Sequence, residues 1–201
     1  MKLYYLKGAC SLASHIALYE TGLKFEASGI DRATRKTAEG EPFDQINTKG
    51  YAPTLRLDSG ELITENVAVL QYVADLAPAA KLAPPNGTLA RYRLIEWLAF
   101  INSEVHKAVS PIFNSAASDD VKTYARNYTV KRTDWLEKEF GSRSFLMEEQ
   151  FTVADCYLFV VFGWFARVGL DQAKWPNLKA FHARVAARPA AQSAMKAEGL
   201  V

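Results

Sequence analysis

Sulfur and histidine are scarce in this chain, with two cysteines, three methionines and three histidines among 201 residues. The cysteines, Cys10 and Cys156, lie far apart and show neither CxxC nor Cys/His ligand spacing. Neither a disulfide framework nor a metal site is indicated, and any cysteine chemistry falls to a single thiol. An excess of one charge is also missing, since 24 Lys and Arg face 22 Asp and Glu. With no run of like charge, nothing points towards nucleic acid, while a small anionic ligand stays compatible. No run of about eighteen apolar residues occurs, and Met1-Lys2-Leu3-Tyr4-Tyr5-Leu6 reads as a strand rather than a secretion signal. A cytoplasmic protein without a membrane partner is expected. What is present is apolar material, 49% of the composition, enough to bury one or two cores unaided.

Texture changes along the chain at residues 78–87, where Pro78, Pro84 and Pro85 gather with Asn86-Gly87; proline continues neither a helix nor a central strand, so this reads as a linker. Before it, over 1–77, strand-like and helical pieces alternate. Leu3 to Leu6 is a strand, Leu12 to Glu20 a helix closed by Thr21-Gly22, Phe25 to Ile30 a strand, and Pro42 to Ile46 a short helix. Thr54-Leu55-Arg56-Leu57 and Glu61-Leu62-Ile63 form a hairpin around Asp58-Ser59-Gly60, and a helix runs from about Glu65 to Leu76. This β-α-β-α-β-β-α order is the thioredoxin-like arrangement. After the linker, 88–201 reads as all-α: Leu94, Trp97, Leu98, Ile101 and Val105 recur at spacings of three and four, and similar stripes run through Tyr124 to Phe140 and Cys156 to Val168. Thr152 and Asp155 suit a capping box at a helix start. The fold class is therefore an α/β domain followed by an all-α domain.

A thiol on the first turn of a helix sits beside unpaired backbone N–H groups and the positive end of the helix dipole, which favour thiolate. Cys10 has that place. Cys156, inside an apolar helical run, reads as a small buried hydrophobe.

Gly8-Ala9-Cys10-Ser11-Leu12-Ala13-Ser14-His15-Ile16, Gly50-Tyr51-Ala52-Pro53, Thr64-Glu65-Asn66-Val67-Ala68, Ile95-Glu96-Trp97-Leu98, Glu104-Val105-His106-Lys107 and Phe151-Thr152-Val153-Ala154-Asp155 occur in this order. Together they resemble the successive signatures of bacterial beta-class glutathione transferases, and the likeness runs through to Glu198-Gly199-Leu200. The resemblance implies an enzyme with glutathione as co-substrate and no prosthetic group, a thioredoxin-like glutathione-binding domain, and a helical domain contributing an electrophile pocket and dimer contacts. It implies Cys10 and His106 as catalytic residues, His106 hydrogen-bonding the thiol or thiolate.

For glutathione, the resemblance implies that Ala52 pairs through its main chain ahead of a cis Pro53. Glu65 takes the γ-glutamyl ammonium, and Asn66 with the helix N-terminus takes its carboxylate. Arg35 or adjacent Lys36 meets the glycyl carboxylate, Ser11 lies near the sulfur, and Tyr5 forms a wall. The resemblance implies that residues of the helix carrying His106 reach a neighbouring subunit's glutathione; Ala99 stands where the family commonly has an asparagine for that contact, and Asn102 and Glu104 are the nearby polar candidates. His15 fits helix packing or support of the loop. Phe113, Tyr157, Trp164 and Phe165 are candidates for the electrophile pocket, expected between the domains, although stripes at helical spacing also suit plain core.

The implied activity is conjugation of the glutathione thiolate to small hydrophobic electrophiles, with thiol–disulfide exchange or peroxide reduction through Cys10 open beside it. A homodimer is the implied assembly. The alternatives are a non-catalytic ligand-binding protein and a regulatory transferase-like module.

Overall fold

The computed structural model describes all 201 residues, in two compact units: Met1–Ala83 with Ala187–Val201, and Pro84–Ala186. The first unit holds β1 (Lys2–Tyr5), α1 (Ser11–Thr21), β2 (Glu26–Gly29), α2 (Phe43–Ile46), β3 (Thr54–Arg56), β4 (Leu62–Thr64) and α3 (Asn66–Leu76). Sheet order is β2-β1-β3-β4, with β1 parallel to β2 and antiparallel to β3, and β3 antiparallel to β4. Strand alternation sorts the core. Tyr4 packs with Ile30 and Phe43 on the α2 side, while Leu3 and Leu55, partners in register, are buried on the other side of the pleat. The α1 helix ends at Gly22, whose left-handed φ of 68° suits the residue without a Cβ.

The second unit is helical: α4 (Leu89–Phe100), a π-helical segment Ile101–His106, α5 (Lys107–Val109), a 3₁₀ turn Ser110–Phe113, α6 (Asp119–Phe140), α7 (Val153–Gly163) and α8 (Pro176–Ala186). Every residue of α7 from Val153 to Phe162 is buried, as an all-round apolar helix must be, and this helix is the centre of the unit. Its start carries the capping box. Asp155 Oδ2 accepts from the Thr152 N–H at 2.8 Å and the Thr152 hydroxyl at 2.9 Å, and Oδ1 accepts from the Leu146 N–H at 2.8 Å. No helix is long and apolar enough to cross a membrane.

The sequence pattern places all of 88–201 in the helical domain, and the structure differs at its end. Residues 187–201, with α9 (Pro189–Ala197), cluster with the first unit and pack on α1. The reason is polar pairing across long sequence separations. Arg188 forks onto Glu20 at 2.6 and 2.9 Å, and the buried Glu198 accepts from the Gly8 N–H at 2.8 Å and meets His15 Nδ1 at 3.0 Å.

Candidate active site

In the first unit the site is built from the turn that joins β1 to α1. Gly8 has a φ of 65°, a region open to glycine, and the Ala9 N–H bonds the Leu6 carbonyl at 2.9 Å. That turn delivers Cys10 to the head of α1, where Ala13 N–H already bonds the Cys10 carbonyl. Cys10 Sγ donates to the Ala52 carbonyl at 3.5 Å, and the Ala52–Pro53 peptide is cis. Cys10 is partly exposed, Cys156 is buried, and neither is in a disulfide.

Ser11 does not lie open to a ligand. It is fully buried, its Oγ accepting from the Leu6 N–H at 3.1 Å and donating to the Leu6 carbonyl at 3.2 Å, so it closes the turn. Tyr5 turns towards α1. Its ring packs on His15 at 5.2 Å and lines a cavity of about 620 Å³ with Tyr19 and Phe25. Burial, then the charge of Glu198, raises the Tyr5 phenol above its usual value, so it stays protonated at neutral pH.

At the head of α3, Glu65 sits at φ 70° and ψ 120°, a strained conformation for a residue with a Cβ. Its exposed carboxylate pairs with Lys49 Nζ at 2.9 Å, and Lys49 also donates to Thr64 Oγ1 at 3.1 Å. Asn66 is buried, its Oδ1 accepting from the Ser14 hydroxyl at 2.7 Å while its Nδ2 has no protein partner. Arg35, also at positive φ, donates to the Gly50 carbonyl at 2.5 Å and to Asp44 at 3.1 Å, which ties it to the Gly50–Pro53 loop. Lys36 is exposed.

In the helical unit, His106 closes the π-helical segment, whose wide turn is marked by the Lys107 N–H bonding back to the Asn102 carbonyl. His106 Nδ1 lies 2.6 Å from the Tyr157 hydroxyl, which donates to Asn102 Oδ1 at 3.0 Å. Burial, and secondarily Lys107, lower the His106 pKa to about 4, so the ring is neutral at neutral pH. Trp164 stands edge-on to it at 4.9 Å, and Phe113, 44% exposed, packs on Trp164 at 6.0 Å beneath the Arg167 guanidinium.

Of the four aromatic candidates, Trp164 and Phe113 gather beside His106 as an aromatic wall. Tyr157 is fully buried and acts through its hydroxyl on His106. Phe165 faces the other way, onto Phe162 at 5.1 Å and Trp175 at 5.6 Å, and is core. Asn102 is engaged by Tyr157, and Glu104 by the Tyr128 hydroxyl at 2.6 Å and Arg132 at 3.0 Å, so both serve their own helical unit.

A thiol at a helix start, bonded to the carbonyl of the residue before a cis proline, is thus the chemical centre of the first unit. The sequence profiles described as glutathione S-transferase, N-terminal domain, and glutathione S-transferase, C-terminal domain, fit residues 1–75 and 100–189. Glutathione S-transferase GstA of Escherichia coli O157:H7 is 38% identical over 200 residues, spanning 100% of both chains. The chain belongs to the glutathione S-transferase family.

Two solved structures place the transferase more finely. A sphingomonad glutathione S-transferase complexed with glutathione is 50% identical, with a TM-score of 0.96 over 100% of both chains. The bacterial beta class enzyme of Sphingomonas chungbukensis is 50% identical with a TM-score of 0.97, again over 100% of both chains. The transferase is thus of the bacterial beta type, and its N-terminal unit is the family's thioredoxin-like domain. Sequence reasoning missed Lys49 on Glu65, Arg167 on Phe113 and the Glu198–Gly8 bond, all long-range pairings that no local motif signals.

Proposed function

We propose that the transferase conjugates the glutathione thiolate to small hydrophobic electrophiles, with the glutathione sulfur received at Cys10. The observation that carries this is Cys10 Sγ at the head of α1, 3.5 Å from the Ala52 carbonyl ahead of cis Pro53. An extended tripeptide pairs its cysteinyl unit with the Ala52 main chain. Its γ-glutamyl carboxylate takes the α3 N-terminal N–H groups and the Asn66 amide, and Glu65 takes the ammonium; the strained Glu65 backbone supports a binding role there. Arg35, fixed to the loop through Gly50, is favoured over exposed Lys36 for the glycyl carboxylate.

Catalysis is then positioning plus stabilisation of sulfur anion by the helix start. Within the helical unit, Trp164 and Phe113 beside His106 offer an aromatic wall suited to an electrophile's apolar body. Sulfur forms the new C–S bond as the leaving group departs with its electron pair. Cys10 offers a second reaction on the same site: its partly exposed thiolate attacks a glutathione disulfide, forming a mixed disulfide and releasing one glutathione thiolate. The working form is proposed to be a cytoplasmic homodimer, which sedimentation at twice the chain mass would check.

Retention on immobilised glutathione, followed by turnover of a reactive aryl halide, tests the reading. Loss of both would remove it. Cys10→Ala is expected to abolish disulfide exchange while retaining part of the conjugation rate; wild-type levels of both activities in that variant would take Cys10 out of the site.

A further inference from the structure

Glu65, the group read above as taking the γ-glutamyl ammonium, already holds an ammonium within its own unit. Lys49 Nζ donates to Glu65 Oε1 at 2.9 Å and to Thr64 Oγ1 at 3.1 Å. A lysine head and an α-amino group are both compact NH₃⁺ charges with three donors, so the same oxygens suit either. The donor side of this corner differs, because the buried Asn66 Nδ2 has no protein partner. Lys49 is anchored at its backbone and loose at its head. Its N–H bonds Oδ1 of the buried Asn47 at 3.1 Å, and Asn47 Nδ2 donates to the Tyr51 carbonyl and Thr54 Oγ1, both at 2.9 Å. The side chains of Lys49 and Glu65 are 52% and 66% exposed, so parting them strands no buried charge. Two ammonium groups on one carboxylate repel by about as much as one exposed pair gains, which favours exchange over sharing.

We propose that Lys49 is a specificity-determining residue, an internal stand-in that leaves Glu65 when the γ-glutamyl ammonium arrives. The inference rests on the reading of Glu65 given above and deepens it. The exchange swaps one exposed ammonium pair for another, so the ligand's amine adds little net affinity. A thiol tripeptide without that amine is therefore accepted nearly as well, since Lys49 then keeps its place on Glu65. The protein discriminates weakly between glutathione and its desamino analogue, glutaryl-cysteinyl-glycine, and Lys49 is the reason.

The experiment is calorimetric titration of the full chain with glutathione and with the desamino analogue, read as the ratio of the two Kd values. Any pull of the Lys49 charge on the ligands' carboxylates is common to both and cancels in the ratio. The analogue should bind wild type within about threefold of glutathione. Lys49→Met should widen the ratio by about three- to fivefold, the scale of an exposed ion pair, and Lys49→Arg, which keeps the charge, should return it to the wild-type value. A Lys49→Met ratio equal to or below that of wild type would overturn the proposal. The double variant Lys49→Met/Glu65→Gln keeps the two failures apart, and its ratio should fall to about one. A double-variant ratio as wide as that of Lys49→Met would remove the reading of Glu65 itself. An unwidened Lys49→Met ratio that still falls when Glu65→Gln is added would remove the exchange alone.

Discussion

Glu65 shows what a single residue carries here. Its φ of 70° is a conformation that glycine adopts freely and that costs a residue with a Cβ roughly 1–3 kcal/mol. Glu65→Gly should therefore raise stability by about 1 kcal/mol in urea unfolding, while KM for glutathione rises at least about tenfold. Glu65→Gln keeps the strain and loses the charge, so it should raise KM without the stability gain. Equal stability in Glu65→Gly and wild type would show that the backbone stores nothing at this position. The identity of Glu65 as a site candidate was legible from Thr64-Glu65-Asn66 placed after Gly50-Tyr51-Ala52-Pro53, but its strain and its Lys49 partner were not. Where Ser11 and Tyr5 turn was not legible for a related reason. A motif gives proximity in the chain, whereas the turn around Gly8 rotates Ser11 inward onto Leu6 and the strand pleat sends Tyr5 onto His15.

At the scale of elements, the α7 start is the clearest case of a local signal that the structure bears out. The Asp155 carboxylate is wholly buried and accepts three hydrogen bonds, two from Thr152 and one from Leu146, so it anchors the helix and the preceding loop together. Asp155→Ala leaves those buried donors without an acceptor, and about 2–4 kcal/mol of stability should be lost, read as a shift in urea midpoint. A loss below about 0.5 kcal/mol would mean that the cap is dispensable. The order of strands and helices in the first unit was legible because glycine and proline punctuate alternating and helical patterns at Gly22, Pro42, Pro53 and Gly60. The π-helical segment was not, since Leu98, Ile101 and Val105 keep the same three- and four-residue spacing in either kind of turn. Nor was the docking of α9 on α1, which depends on Arg188 finding Glu20 and Glu198 finding Gly8.

For the whole molecule, three groups shifted by burial act on stability between about pH 6.5 and 4. Burial lowers His106 and His182 to about 4, so between about 4 and the ordinary histidine value of 6.5 the unfolded chain binds protons that the folded chain refuses. Their contribution is present above 6.5 and lost as pH falls towards 4. Burial raises Asp155 to about 6 against its hydrogen bonds, so between 6 and 3.8 the folded chain binds the extra proton and the sign is opposite. Two protons against one leave a net loss on acidification, at most about 1.4 kcal/mol per pH unit, visible as a falling urea midpoint from pH 6.5 to 4. A flat or rising midpoint would contradict these burials. Conjugation, by contrast, should show no break from His106 above about pH 5.

The claim on which the rest depends is that glutathione places its sulfur at Cys10, and alkylation with peptide mapping reads this directly. Iodoacetamide is expected to label Cys10 and spare Cys156, and saturating S-methylglutathione, which occupies the site without reacting, should slow Cys10 labelling severalfold. Labelling of Cys10 at the same rate with and without S-methylglutathione would contradict the account.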